Sequence, residues 1–321
     1  MSEPILKAEH LGITFGGLKA VSDFNMTINK GELVGLIGPN GAGKTTVFNL
    51  LTGVYQPTEG AFYLDGKKMN GKKTYQVVRA GIARTFQNIR LFKQMTVEEN
   101  VLVAFNESFT YKMGGAIFRT PRFWKQENDM HAKAIDFAKE HGVFWPNFDL
   151  DKFYTILGEL EVEATQRMDA MSAGQLKKTW IAFALACNAK YYYLDEPTNG
   201  LDIPSKAQFR KAVTRYTAED STLIISTHQV RDLENIIDPI IILDNQAVLV
   251  NASMQEISEK LYFDYGTEIQ PGALYLEQTP GGCIQVYPNT TGEESKVNVE
   301  AFFNTVHAHK DLVKPMFNSE K

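Results

Sequence analysis

An α/β fold organised on a parallel sheet is predicted by three features of this 321-residue chain. The apolar run Glu32-Leu33-Val34-Gly35-Leu36-Ile37 feeds a glycine-rich turn, Gly38-Pro39-Asn40-Gly41-Ala42-Gly43-Lys44-Thr45, and Thr46 to Leu51 continues with helical apolar spacing. Two later apolar runs deliver polar groups at their ends: Tyr191 to Leu194 leads to Asp195-Glu196, and Thr222 to Thr227 leads to His228. Such positions, at the carboxyl ends of strands, are where α/β sheets bind ligands.

The turn matches the phosphate-binding pattern G-x-x-x-x-G-K-[ST] in the strand–loop–helix context that the pattern requires. Backbone N–H groups at the helix start have no intrahelical acceptor and point at the loop, while glycines let the backbone approach a phosphate closely. Gly38, Asn40, Gly41, Ala42, Gly43 and Thr46 are therefore candidate nucleotide-binding residues, with Lys44 as a point charge on the β- and γ-phosphates. Thr45 offers its hydroxyl to Mg²⁺.

Composition narrows the function classes. A net charge of -5, from 33 basic and 38 acidic residues, argues against binding of nucleic acid through a strongly basic surface. The two cysteines, Cys187 and Cys283, match no metal spacing and suggest a reducing, cytoplasmic setting. No N-terminal signal is visible, and the apolar stretch Trp180 to Leu194 is broken by Asn188 and Lys190 before it spans a bilayer. A role at a membrane is expected to need a partner.

In chain order, Leu6 to Ile28 alternates as strands around Phe15-Gly16-Gly17-Leu18, which leaves Phe15 either as a base-stacking ring or as a packing aromatic. Pro57 to Gly60 reads as a turn, Ala61 to Leu64 as a strand and Asp65-Gly66 as a hairpin, so an antiparallel flank is implied. Lys73 to Ala80 reads as a helix stopped by Gly81, and Ile82 to Phe86 as a strand running out to Gln87. From Thr96 the chain becomes helical. Thr96 and Glu99 form a capping box for a helix to about Phe105, and Glu127 to His141 is a second helix. Tyr111 to Trp124 reads as a connector or a docking surface. Ser172 and Gln175 form another capping box before a helix from Leu176 to Cys187. Capping alone would explain both residues. Ile240 to Leu243 and Ala247 to Val250 flank a hairpin turn; beyond Phe263, Pro-Gly punctuation separates short strands before a helix from about Val299 to His309.

The phosphate loop, Gln87, Ser172-Ala173-Gly174-Gln175, Asp195-Glu196, Asp202 and His228, taken in order, resemble the ATP-binding cassette (ABC) family over about Ile5 to Ser253. The resemblance implies a P-loop NTPase with a RecA-like core, an antiparallel β subdomain and an α-helical subdomain. The expected division is an ATP-binding domain over 1–262, with its helical part at about 96–185, and a small α+β appendage over 263–321. It implies ATP and Mg²⁺ as ligands, with Asp195, Thr45 and Gln87 on the metal. Glu196 would orient and deprotonate the attacking water, His228 would hydrogen-bond the γ-phosphate, and Phe15 would stack on the base. Ser172 and Gly174 match the signature motif, which contacts the γ-phosphate of ATP held by an opposing cassette, and Gln175 and Asp202 are further candidate nucleotide-binding residues. A second cassette, identical or related, and transmembrane permease subunits are therefore implied as partners, placing the chain on the inner face of the cell membrane.

Two departures from the family pattern stand out. Ala173 replaces a glycine, which would hinder close approach if that position needs positive φ. Tyr191, Tyr192 and Tyr193 occupy a central strand, where successive side chains face opposite ways and each buried hydroxyl needs a partner. Residues to about Phe137, including Gly81 to Gln87 and Phe118 to Pro121, look like the ATP-binding subunits of branched-chain amino acid importers. Val143 to Asp149, Asp195 to Ser205 and the tail look like exporter-type or gliding-associated cassettes. A hybrid with a junction near Lys139 to Gly142 is therefore expected, and an ATPase serving branched-chain amino acid import. The alternatives are an exporter ATPase, or a soluble cassette of the iron–sulfur assembly type.

Overall fold

The computed structural model describes residues 4–85, 94–104, 147–234 and 236–318. They form two compact units, the first comprising Met1–Val77, Tyr193–Asn199 and Asp220–Lys321 and the second Val78–Tyr192 and Gly200–Glu219.

The first unit opens with a hairpin of β1 (Leu6–Phe15) and β2 (Leu18–Ile28), in which Leu6 faces Ile28 and Phe15 faces Leu18. Gly16 and Gly17 both have positive φ, as a two-residue turn between right-twisted strands requires. β3 (Leu33–Ile37) and α1 (Lys44–Leu51) flank the glycine-rich turn, and β4 (Glu59–Leu64) with β5 (Lys67–Lys68) then completes an antiparallel sheet in the order β2-β1-β4-β5. α2 (Thr74–Arg79) carries the chain across to the second unit.

In the second unit β6 (Ile82–Thr85) is followed by α3 (Val97–Ala104), α4 (Leu150–Glu159) and α5 (Ala173–Ala186). The Thr96–Glu99 box forms as expected: the Thr96 hydroxyl accepts from the Glu99 N–H at 3.1 Å and the Glu99 carboxylate from the Thr96 N–H at 2.8 Å. α4 was not anticipated, although Asp149 caps it at 2.9 Å and Phe153, Ile156 and Leu157 fall on one buried face. Phe148, Phe153 and Phe183 pack ring to ring beneath it. Phe86, Gln87, the expected connector at 111–124, the expected helix at 127–141 and the expected junction at 139–142 lie outside the described residues. β7 (Tyr191–Asp195) then returns to the first unit, and α6 (Ile203–Tyr216) belongs to the second.

The parallel sheet has the order β10-β9-β3-β8-β7-β6. β3 is paired in parallel with β8 (Thr222–Thr227) on one side and β9 (Ile240–Asp244) on the other, and β10 (Ala247–Ala252) turns back antiparallel through Asn245 and Gln246, both at positive φ. Burial on both faces explains the unbroken apolar runs, since Val34, Leu36, Ile37 and Ile240 to Leu243 are all almost fully buried. The three tyrosines of β7 are buried as well. The Tyr192 hydroxyl accepts from the Ala189 N–H at 3.0 Å, and burial pushes its pKa up to about 12. The Tyr193 ring lies 5.6 Å from that of Phe48 on α1.

α7 (Met254–Lys260) leads into a three-stranded sheet of β11 (Leu261–Gly266), β12 (Tyr275–Thr279) and β13 (Gly282–Pro288) in the order β11-β13-β12, followed by α8 (Val299–Ala308) and α9 (Lys310–Asn318). α9 was not anticipated. In this segment β11 starts at Leu261, Val299, Phe302 and Val306 of α8 are fully buried, and the whole stretch clusters with the first unit. Among the described residues no helix is long and apolar enough to cross a membrane.

Candidate functional site

Buried and parallel-paired on both edges, β3 fixes where the glycine-rich turn starts. Gly38 sits so close to the neighbouring β9 that a Cβ there would lie 2.5 Å from the Leu243 carbonyl oxygen. Gly43 occupies the N-cap of α1 at φ 103, where glycine carries no strain and where no side chain caps the helix. The first-turn N–H groups of α1 are thus presented to the loop as an anion site. Lys44 is only 6% exposed, and its Nζ donates to the Gly38 carbonyl at 2.6 Å and the Pro39 carbonyl at 3.1 Å.

β7 ends at Asp195, and Glu196 follows it; both are buried. Glu196 takes a left-handed backbone, φ 48, which costs a non-glycine residue about 1–3 kcal/mol and persists only where the surroundings enforce it. The enforcing group is Ser226 on β8. Its carbonyl and hydroxyl oxygens accept from the Glu196 N–H at 3.2 and 3.0 Å, and the hydroxyl donates to Asp195 Oδ1 at 2.6 Å. Asp195 Oδ1 also lies 3.5 Å from the Thr45 hydroxyl. Turned by its backbone, Glu196 places Oε1 3.4 Å from Lys44 Nζ and Oε2 2.8 Å from His228 Nδ1. Five expected site residues, Lys44, Thr45, Asp195, Glu196 and His228, therefore converge. Ser226 is the member that sequence reading missed, although a serine inside an otherwise apolar strand run is a visible signal.

Phe15, at the end of β1, is 43% exposed and meets the Tyr55 ring edge-on at 5.2 Å. The remaining candidates lie in the second unit. Ser172 caps α5 in a complete box, with its hydroxyl accepting from the Gln175 N–H at 3.1 Å and the Gln175 side chain from the Ser172 N–H at 3.0 Å. Ala173 opens α5 and is not among the residues of positive φ, so the concern about a missing glycine does not arise in this chain's own backbone. Gly174 is open, with no atom nearer than 3.8 Å to where a Cβ would stand. Asp202 caps α6 by accepting from the Ser205 N–H at 3.0 Å, and hydrogen bonds from Ser205 hold its carboxyl below the usual range.

A phosphate cradle, a buried lysine and paired acids at a strand end define a nucleotide-hydrolysing site of the P-loop class. The family model described as ABC transporter matches residues 21–199, and the chain belongs to that family; it is an ATPase cassette that binds nucleotide. It is 33% identical over 261 residues to the high-affinity branched-chain amino acid transport ATP-binding protein BraF of Pseudomonas aeruginosa, covering 81% of this chain and 95% of that one. Its identity to LivG of Escherichia coli K12, another protein of that description, is 32%, over 80% of this chain and 94% of LivG. An alignment of 261 residues extends well past the expected junction near Lys139, so BraF spans both portions of the chain. A solved ATP-binding cassette of an ABC transporter in its ADP conformation is 27% identical, with a TM-score of 0.59 over 79% of this chain and 93% of that one. A dimeric bacterial ABC transporter cassette, 23% identical with a TM-score of 0.59 over 77% of this chain and 98% of that one, shares the fold.

Proposed function

We propose that the chain hydrolyses ATP with Mg²⁺ to drive a branched-chain amino acid importer, docked on permease subunits at the inner face of the membrane and paired with a second cassette. The observation that carries the chemistry is one buried carboxylate, Glu196, within 2.8 Å of His228 and 3.4 Å of Lys44. Lys44 and the first-turn N–H groups of α1 hold the β- and γ-phosphates. Glu196 orients water and takes its proton as the oxygen attacks the γ-phosphorus and the bond to ADP breaks, while His228 hydrogen-bonds the γ-phosphate. The hard oxygens of Thr45 and Asp195 suit Mg²⁺, and Ser226 fixes the Asp195 carboxylate for that task. Mg²⁺ would supply charge neutralisation at the phosphates. Gln87 is assigned to the same ion. Ser172 and Gly174, at an uncrowded helix start, are the groups we assign to the γ-phosphate of the opposing cassette's ATP.

The importer assignment rests on the likeness to BraF and LivG. Its test is co-purification from membranes of the Glu196→Gln chain, with ATP, alongside branched-chain and exporter permeases expressed separately; retention by the exporter permease alone would refute it. Ser226→Ala tests the arrangement of the acids. Losing an outer partner of a metal-holding carboxylate is expected to lower kcat by about 10–100-fold with little change in ATP affinity, read by steady-state kinetics beside nucleotide titration.

A further inference from the structure

Two charged ties run from the C-terminal segment to opposite sides of the nucleotide site, and none of the residues that make them falls within the family-matched 21–199. The first reaches the turn after His228. Arg231, three residues on, ion-pairs through Nε with Glu300 on α8 and through Nη2 with Glu277 on β12 at 3.5 Å. Beside it the Glu234 carboxylate accepts from the Val299 N–H at 3.1 Å, at the first residue of α8, where the helix dipole favours an anion. The turn that carries His228 is thereby anchored to a helix whose inner face, Val299, Phe302 and Val306, is fully buried.

The second tie reaches the hairpin behind the phosphate loop. Asp244, at the end of β9, ion-pairs with Lys310 of α9, and His307 Nδ1 of α8 lies 3.8 Å from the same oxygen. Asp244 is buried, whereas Lys310 is about one-third exposed, so the pair is screened far less than a surface contact. Its neighbour Leu243 presents the carbonyl that crowds Gly38, and Gln246, in the turn that follows, accepts from the Ser22 N–H at 2.9 Å and sits against Gly43. Displacing this hairpin displaces the wall against which Gly38 and Gly43 of the phosphate loop rest.

From these two ties we infer that the C-terminal segment is a positioning device for ATP hydrolysis, with Arg231 as a positioning residue for His228 and Lys310 as one for the phosphate loop. The inference rests on the assignment of that site to ATP turnover. It separates the two effects: the Arg231 tie acts on the step that uses His228, and the Lys310 tie acts on nucleotide capture. The Arg231 pairs are exposed and contribute little to stability, whereas Lys310→Ala takes a cation from the buried Asp244, so the folded fraction of each variant is measured beside its kinetics.

The test uses the full chain and compares Arg231→Ala, Arg231→Lys, Lys310→Ala and, as a reference, His228→Ala, with ATP as the probe. Arg231→Ala is expected to lower kcat about tenfold, as a small misplacement of a reacting group does, while the KM for ATP stays within about twofold. Arg231→Lys, which keeps the charge, restores most of the rate. Lys310→Ala is expected to raise the dissociation constant for ATP by about threefold to tenfold, with kcat within about twofold. Wild-type values for Arg231→Ala and Lys310→Ala, or losses that merely follow the folded fraction measured by circular dichroism, would overturn the inference. If His228→Ala itself leaves turnover intact, the assignment of the site fails; if His228→Ala abolishes turnover and Arg231→Ala does not affect it, the inference alone fails.

Discussion

Glu196→Gln is expected to lower the rate of ATP hydrolysis by about 10²–10⁴-fold, the usual contribution of a general base, while ATP still binds. The substitution is nearly isosteric. It keeps the left-handed backbone at Glu196 and the two bonds its N–H makes to Ser226, so the acids and the loop hold their places. What it removes is the negative charge 3.4 Å from Lys44 and the strong acceptor 2.8 Å from His228. An amide cannot take the proton of the attacking water. Bound ATP is then expected to persist, and two cassettes closed on it to accumulate. Phosphate release, nucleotide titration and sedimentation with ATP and Mg²⁺ measure these three outcomes; unchanged phosphate release would remove Glu196 from the mechanism. Adding Ser172→Ala to the same background tests the opposing contact, because loss of the closed pair is then expected without loss of ATP binding to the single chain.

Lys44→Ala is expected to weaken ATP binding by about 2–5 kcal/mol, the cost of truncating one partner of a buried charge pair, which is roughly 30-fold to several thousand-fold. Lys44 is buried. The same substitution strips the carbonyls of Gly38 and Pro39 of a donor and takes the nearby cation from Glu196. A fall in thermal stability is therefore expected as well, and it should be smaller in a Glu196→Gln background, where the buried carboxylate is already neutral. Isothermal titration with ATP, and melting of the single and double variants, read both effects. Additive losses of stability would show that Lys44 and Glu196 do not sense one another.

What could be read from the chain was whatever is encoded by short spacing. The phosphate loop, the strand ends at Asp195 and His228, both capping boxes and the hairpin at Asn245-Gln246 are local patterns, each completed within a few residues, and each forms where it was expected. The helix over 203–216 was overlooked although Asp202 and Pro204 announce its start, because only Phe209, Ala212 and Val213 mark its apolar side strongly. What the tail packs against was not legible for a related reason. Glycine and proline punctuation reports breaks along the chain and says nothing of what the segments between them pack against.

The amino-acid sequence by itself determined that this protein has a phosphate cradle, where its acids stand on their strands and which family it belongs to, because those depend on residue types at fixed short intervals. Only the tertiary structure decided that Ser226 forces Glu196 into a left-handed turn, that one carboxylate then meets both Lys44 and His228, and that Arg231 and Lys310 bind the tail to the site. These contacts join residues from 30 positions apart, Glu196 with Ser226, to 152 apart, Lys44 with Glu196, and no spacing rule reaches across such distances; they exist because the sheet sets β8 between β3 and β7 and so brings their ends together in space.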